Sequence, residues 1–245
     1  MSAGAARLFV ASPLSAGTRL LLPEPCARHA RALRLRPGDP LVLFDGSGGE
    51  YPARVLAASR HRIEVELGER EAVERESPLA VTLLQAVSSA ERMDATVQKA
   101  VELGVAAIRP VLSVRSSFRA DPRRAEAKLA HWRAVAIAAC EQCGRNRVPS
   151  VAPPATLGEC CAALPQDALR LLLSPRGGVR LREALSPGAR EILLACGPEG
   201  GFDPAEEALL REAGFVAVRL GPRVLRTETA APAALAALAA LAGDF

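Results

Sequence analysis

Ile192-Leu193-Leu194-Ala195-Cys196-Gly197-Pro198-Glu199-Gly200-Gly201-Phe202-Asp203-Pro204-Ala205-Glu206 is the stretch whose reading decides the fold. Ile192 to Cys196 is a short unbroken apolar run, which is how a strand buried on both faces reads. Asp203-Pro204-Ala205-Glu206 starts a helix: a capping side chain, proline in the first turn, and a glutamate three residues past the cap. Between them Gly197-Pro198-Glu199-Gly200-Gly201 makes the turn. In an open α/β sheet, ligands bind beyond the carboxyl ends of the strands, and this loop lies at such an end. Its glycines let backbone approach a ligand closely. A tight strand-to-helix turn would use the same glycines, so the loop alone leaves both readings open. It is not a Walker loop, because no Gly-Lys-Ser/Thr follows, and its spacing is not that of a Rossmann fingerprint.

Downstream, Phe215 to Leu220 reads as a strand and Thr229 to Leu241 as a closing helix. Leu220-Gly221-Pro222-Arg223-Val224-Leu225-Arg226-Thr227-Glu228-Thr229-Ala230 joins them. A turn needs the Gly-Pro pair but has no use for two Arg, a Glu and two Thr, so this second strand end also reads as ligand-facing. Upstream, Leu79 to Val87, Ala107 to Leu112 and Leu169 to Leu173 are apolar strands, while Glu91 to Leu103 and Pro122 to Cys143 are helices. Alternation of this kind implies a mostly parallel sheet with helices on both faces.

The first 70 or so residues differ. Leu8-Phe9-Val10, Leu41 to Phe44, Tyr51 to Ala57 and His61 to Leu67 are short strand candidates. Glu24 to Arg34 has room for a turn or two of helix, and Asp45-Gly46-Ser47-Gly48-Gly49 is a hairpin turn. These pieces add up to a small barrel or sheet. Gly68 to Pro78, rich in Glu and Arg, reads as a linker. The expected organisation is a β domain over 1–74 and an α/β domain over 75–245, with no internal repeat.

The 245 residues are 49% hydrophobic and 3% aromatic, so the core is built mostly from Ala, Leu and Val, and disorder is excluded. The net charge is +4, unevenly spread. Met1 to Arg62 holds nine Arg against four acids, and Arg109 to Arg147 holds nine Arg or Lys against three. Two basic regions suggest a polyanionic partner, nucleic acid being the commonest; two solvated faces would read the same way. Arg28, Arg31, Arg34 and Arg36, with His29, form a cluster without acids that suits phosphate contact. The preference for Arg over Lys, with only Lys99 and Lys128 present, reflects genome composition rather than recognition.

Six cysteines and three histidines are present. Cys140-x-x-Cys143 and Cys160-Cys161 lack ligand spacing, and His61 and His131 have no evident partner, so no metal is expected. No secretory signal precedes Pro13 and no apolar run reaches the roughly 18 residues of a membrane span. The expected setting is cytoplasmic, with reduced thiols. Gly-x-Ser-x-Gly, His-Glu-x-x-His and a Ser/His/Asp arrangement are all absent, which removes the enzyme classes that rely on them.

Gly197 to Gly201, Leu220 to Ala230, and Ile137-Ala138-Ala139-Cys140-Glu141-Gln142-Cys143-Gly144-Arg145-Asn146-Arg147-Val148-Pro149 together closely resemble the RsmE family of 16S ribosomal RNA uracil-N3 methyltransferases. Arg92-Met93-Asp94, Gln98 to Val105, Arg7 to Val10 and His29 to Arg34 fit the same pattern, so the resemblance runs in order along essentially the whole chain. One departure is visible: the family usually has Lys-Gly where this chain has Ser89-Ala90, one positive charge fewer near a strand end.

The resemblance implies an α/β fold of the SPOUT class, a parallel sheet ending in a deep trefoil knot, preceded by a PUA-like RNA-binding β-barrel. It implies S-adenosylmethionine as cofactor, a homodimer as the working unit, no metal and no membrane. The substrate it implies is a uridine of 16S rRNA in the small ribosomal subunit, near the decoding centre. Carried onto this chain, the cofactor residues are Leu172-Leu173-Ser174, Gly197 to Gly201, Leu220-Gly221-Pro222 and Leu225-Arg226-Thr227. The RNA-binding residues are Arg7, Arg28, His29, Arg31, Arg34, Arg115, Arg145 and Arg147.

Methylation at uracil N3 needs a proton acceptor and a positive group near O2 or O4. Crowding at the two strand ends assigns Arg226 as anion stabiliser and Glu228 as proton acceptor, with Glu199 second. Two other readings share these features: a non-catalytic RNA-binding assembly factor, and a methyltransferase of the same class acting elsewhere on RNA, such as ribose 2′-O.

Overall fold

The computed structural model describes residues 5–60, 62–116, 121–162, 164–175, 177–186, 188–242 and 245. The chain divides into two compact units. The first is Met1–Glu76 together with Cys140–Val148, and the second is Ser77–Ala139 together with Pro149–Phe245.

In the first unit the chain forms β1 (Ala6–Phe9), β2 (Arg19–Leu21), α1 (Glu24–Ala32), β3 (Pro40–Phe44), β4 (Tyr51–Ala58) and β5 (Ile63–Leu67). The five strands lie in the order β1-β3-β4-β5-β2. β1 runs parallel to β3, and the other pairings are antiparallel. Period-2 burial makes the core: Ile63, Val65 and Leu67 from β5 meet Leu41 and Leu43 from β3 and Leu8 from β1. His61, the expected start of β5, lies outside the described residues.

The segment 140–148 brings a polar cluster to this unit. Glu50, 7% exposed, accepts from Arg7 Nη1 at 2.7 Å, Arg75 Nη1 at 3.0 Å and Asn146 Nδ2 at 3.1 Å. Burial pushes the Glu50 carboxyl up, but the bonds from Arg75, Arg7 and Asn146 outweigh it and hold the group below the usual glutamate range.

The second unit contains β6 (Ala80–Ala86), α2 (Ala90–Glu102), β7 (Ala107–Leu112), most of α3 (Pro122–Cys143), β8 (Ser150–Val151), β9 (Ala155–Thr156) and α4 (Leu157–Ala162). It continues with β10 (Leu169–Leu173), β11 (Val179–Arg180), α5 (Leu181–Ala184), β12 (Glu191–Cys196), α6 (Pro204–Glu212), β13 (Val216–Arg219) and α7 (Thr227–Ala242). The order is β11-β13-β10-β12-β6-β7-β8, with β9 also on β7, and every pairing is parallel. β12 sits between β10 and β6, which is why Ile192 to Cys196 are buried throughout.

The helix start read from the sequence is present in detail. Asp203 accepts from the amides of Ala205 and Glu206, and Glu206 reaches back to the Asp203 amide. Glu206 also accepts from Ser113 Oγ and the Val114 amide, both at 2.9 Å, tying α6 to the segment after β7. α7 begins at Thr227, two residues before the expected Thr229, because the Thr229 and Ala230 amides already donate to the Arg226 carbonyl.

Candidate active site

The carboxyl ends of β10, β12 and β13 converge on a crevice of about 310 Å³. Small-molecule sites occupy roughly 300–1,000 Å³. Its walls are Leu173 and Ser174 after β10, Gly197 to Glu199 with Gly201 after β12, and Val218 through Leu220 with the loop to Glu228 after β13. Arg92, from the first turn of α2, closes one side.

The two loops are stitched together from below. Thr227 Oγ1 donates to the Gly197 carbonyl at 2.7 Å. Gln85 Nε2, at the end of β6, donates to Thr227 Oγ1 at 3.1 Å and to the Ala86 carbonyl at 3.0 Å. Gln85 is 0% and Thr227 6% exposed, so these bonds lie in a low-dielectric setting where leaving a partner unmade is costly. A lone amide in the apolar run Ala80–Ala86 was the sequence signal for Gln85, and it was missed.

Gly197 is required by close approach: a Cβ there would stand 2.8 Å from the Phe202 nitrogen and 3.0 Å from Gly201. Gly201, at φ 70°, closes a turn in which its amide donates to the Pro198 carbonyl at 2.8 Å. Arg115 braces the same loop, donating to the Gly200 carbonyl at 2.8 Å and the Phe202 carbonyl at 3.4 Å.

Two carboxylates face the crevice, and Arg92 lies against both. Arg92 Nη1 donates to Glu199 Oε1 at 2.8 Å, and its Nε lies 3.6 Å from Glu228 Oε1. Glu199 Oε1 also accepts the Ser89 amide at 3.1 Å. Partial burial raises the Glu199 pKa, but its own amide, the Ser89 amide and Arg92 outweigh this and hold it below the usual range. The pairing with Glu199 raises the pKa of Arg92 in turn. Glu228 Oε2 is buried with no hydrogen-bond partner. Arg92 was also missed as a site residue. The available signal was a cation in the first turn of a helix, where the macrodipole disfavours positive charge.

Of the residues expected at a cofactor, Leu173, Ser174, Gly197, Pro198, Glu199, Gly201, Leu220, Gly221, Leu225, Arg226 and Thr227 line the crevice. Leu172 points into the core at 1% exposure, and Gly200 and Pro222 stand off the wall. Glu228 and Arg226 are also on the wall, and Arg226 is exposed.

The residues expected at RNA separate into two groups. Arg7 is committed to Glu50 and Asn146 Oδ1, and Arg145, 4% exposed, to Glu76. Both are internal to the first unit. Arg147 pairs with Glu74, Arg31 with Glu24, and His29 Nδ1 lies 3.1 Å from Glu141. Arg28 and Arg34 are exposed and have no ion pair among the described residues. Among the described residues no group of three or more His, Cys, Asp or Glu could hold a metal, and no helix is long and apolar enough to cross a membrane.

A parallel sheet whose strand ends converge on a glycine-walled crevice is built to hold a small ligand, and the sequence of this chain places it among the RNA methyltransferases. Residues 75–239 match the RNA methyltransferase domain family and residues 22–68 the RNA methyltransferase PUA domain family. Ribosomal RNA small subunit methyltransferase E of Buchnera aphidicola is 33% identical over 215 residues, 88% of this chain and 87% of that protein. The crystal structure of the methyltransferase E from Neisseria gonorrhoeae bound to S-adenosyl methionine is 43% identical, with a TM-score of 0.92 over 98% of this chain and 99% of that one. A methyltransferase from Legionella pneumophila in complex with the same cofactor is 36% identical, with a TM-score of 0.92 over 96% and 97%. The chain belongs to the ribosomal RNA small subunit methyltransferase E family.

Proposed function

We propose that this chain is an S-adenosylmethionine-dependent methyltransferase that modifies N3 of a uridine in 16S rRNA of the small ribosomal subunit, near the decoding centre. The observation that carries the reading is the crevice itself, with Glu228 and Arg226 on one wall. The residues present fit the cofactor. Leu173, Val218, Leu225 and Pro198 offer apolar surface to an adenine, and Glu199 faces a molecule carrying sulfonium and ammonium charge. A Cβ at Gly201 or Gly221 would meet nothing within 4 Å, so the glycines leave open the space a ligand needs. When bound, the cofactor supplies an electrophilic methyl group on sulfonium.

The rest belongs to the chain. Glu228 accepts the N3 proton, and Arg226 draws off the negative charge that develops on O2 or O4. Fixing the acceptor base against the crevice wall supplies alignment. N3 lies on the pairing edge of uracil, so the base must enter unpaired. No cysteine nucleophile is called for, and burial pushes the Cys196 thiol beside Thr227 up to about 11. Arg28, Arg31 and Arg34 position RNA through its phosphates.

The chain works in the cytoplasm as a homodimer with a deep trefoil knot at the cofactor loops. Val224, 77% exposed on the crevice loop, and Leu241, 49% exposed on α7, are apolar surface that a second copy would cover. The test is labelled-methyl transfer to small subunits that lack the modification, followed by nucleoside analysis. The expected product is N3-methyluridine. A ribose-methylated product would overturn the N3 assignment, and no incorporation would favour an RNA-binding assembly factor.

A further inference from the structure

Glu199 and Glu228 are two carboxylates on one crevice wall, and the sequence does not say which does chemistry. The structure treats them differently. Both oxygens of the question lie around Arg92: its Nη1 is at hydrogen-bond distance from Glu199, while its Nε is 3.6 Å from Glu228, an ion-pair distance too long for a hydrogen bond. Glu199 has a second bond, from the Ser89 amide at the N-cap of α2. Ser89 makes no side-chain cap of its own, and the Glu199 carboxylate, arriving from another loop, takes its amide and adds to the negative charge that Glu91 brings to that helix terminus. Glu228 keeps one oxygen turned toward Arg92 and the other buried and unpartnered.

We propose that Arg92 is a positioning residue that sorts the two carboxylates. It locks Glu199 as the brace of the cofactor loop by a hydrogen bond and holds Glu228 only by a longer ion pair, which leaves Glu228 the carboxylate less committed to donors and available for the substrate proton. Arg92 sits where the dipole of α2 opposes it, so something other than helix stability keeps it there. A guanidinium addresses two carboxylates from a rigid plane whose donors point in fixed, divergent directions, whereas a lysine presents one flexible ammonium without that fixed geometry. And a carboxylate whose anion is stabilised by two donors, as Glu199 is at Oε1, is a weaker proton acceptor than one held by a single 3.6 Å ion pair.

This inference rests on the methyltransferase reading above, and its test separates the two. Wild type, Arg92→Met, Arg92→Lys, Glu199→Gln and Glu228→Gln are compared for methyl transfer to unmodified small subunits, for cofactor Kd by calorimetry, and for melting temperature. If wild type transfers no methyl, the methyltransferase reading fails. If it does, Glu228→Gln is expected to lower kcat about 100-fold or more with cofactor Kd little changed, the scale of a lost general base. Glu199→Gln is expected to act mainly on cofactor Kd and KM. Arg92→Met combines both effects, and Arg92→Lys recovers cofactor affinity through Glu199 without recovering kcat. If Glu199→Gln instead carries the kcat loss, the sorting is overturned. So it is if folded Arg92→Met keeps wild-type kcat at saturating cofactor, or if Arg92→Lys restores kcat in full.

Discussion

Arg34 is the one non-glycine residue at positive φ among the described residues, at +59°. It occupies the position after the C-cap Leu33 of α1. Its amide donates to the Arg31 carbonyl, and the next amide, of Leu35, donates to Ala30 at 3.1 Å. This pair of bonds is a Schellman motif, whose left-handed position is ordinarily filled by glycine. An L-residue there costs roughly 1–2 kcal/mol, offset by the roughly 0.5–1 kcal/mol of extra chain entropy that glycine would lose on folding. Arg34→Gly should therefore stabilise the protein by about 0.5–1 kcal/mol, a rise of about 2 °C in Tm for a chain of this size. An exposed arginine kept at a position where glycine would be more stable implies a use for its side chain, and phosphate contact is the use its neighbours Arg28 and Arg31 suggest. The same substitution should weaken RNA binding. For a single-stranded RNA, the slope of log K against log salt should fall in magnitude by about 0.7, one phosphate contact. Thermal melts and fluorescence anisotropy over a KCl series read the two effects separately. A lower Tm in Arg34→Gly would refute the strain argument, and an unchanged affinity and slope would refute the phosphate contact.

Gly197→Ala should raise cofactor Kd at least 10-fold, or about 1.4 kcal/mol, because its Cβ displaces the loop at Phe202 and Gly201; calorimetry showing wild-type affinity would contradict the close packing. Glu50→Gln should destabilise the chain by about 1–3 kcal/mol at pH 7, the lower end because Arg75 is about a third exposed. Glu50 has a lowered folded pKa, so its stabilisation is complete above the ordinary value of 4.5 and is lost as pH falls through the lowered one. The Tm gap between wild type and Glu50→Gln should close towards pH 3, and a gap independent of pH would rule this out. Burial pushes the thiols of Cys26 and Cys196 to about 11 and that of Cys140 to about 12, so none should react with a thiol reagent in the folded chain at pH 8. Rapid labelling of Cys196 before denaturation would count against its place beneath the crevice.

Which parts of this structure were legible beforehand follows from where the signal resides. β12 and α6 were readable because a doubly buried strand and a capping box are local patterns, and both appear at the expected residues. β2 was not, because Arg19–Leu21 is a three-residue edge strand with one partly buried side chain, held by pairing to Glu64 to Glu66 rather than by any pattern of its own. β8, β9 and β11 have two residues each, too few for a period to show. The return of Cys140–Val148 to the first unit depends on Asn146 and Arg145 meeting Glu50 and Glu76, pairings of long sequence separation.

The site divides along the same line. Both crevice loops announce themselves, since Gly, Pro, Arg, Glu and Thr are dense at two strand ends. What orients them does not. Gln85 and Arg92 each lie on a different element from the loops they hold, more than 100 residues away in sequence. Each nevertheless breaks a local rule: an amide inside an apolar strand, and a cation at a helix N-terminus. A residue that opposes its own element's preference is held there by a partner elsewhere, and at strand ends beside a glycine-rich loop that partner is the site. Read this way, the same rule that exposes Arg34 as strained at the end of α1 also picks out Gln85 and Arg92. It locates functional positions from conflict between local propensity and residue identity, where motif density alone finds only the loops.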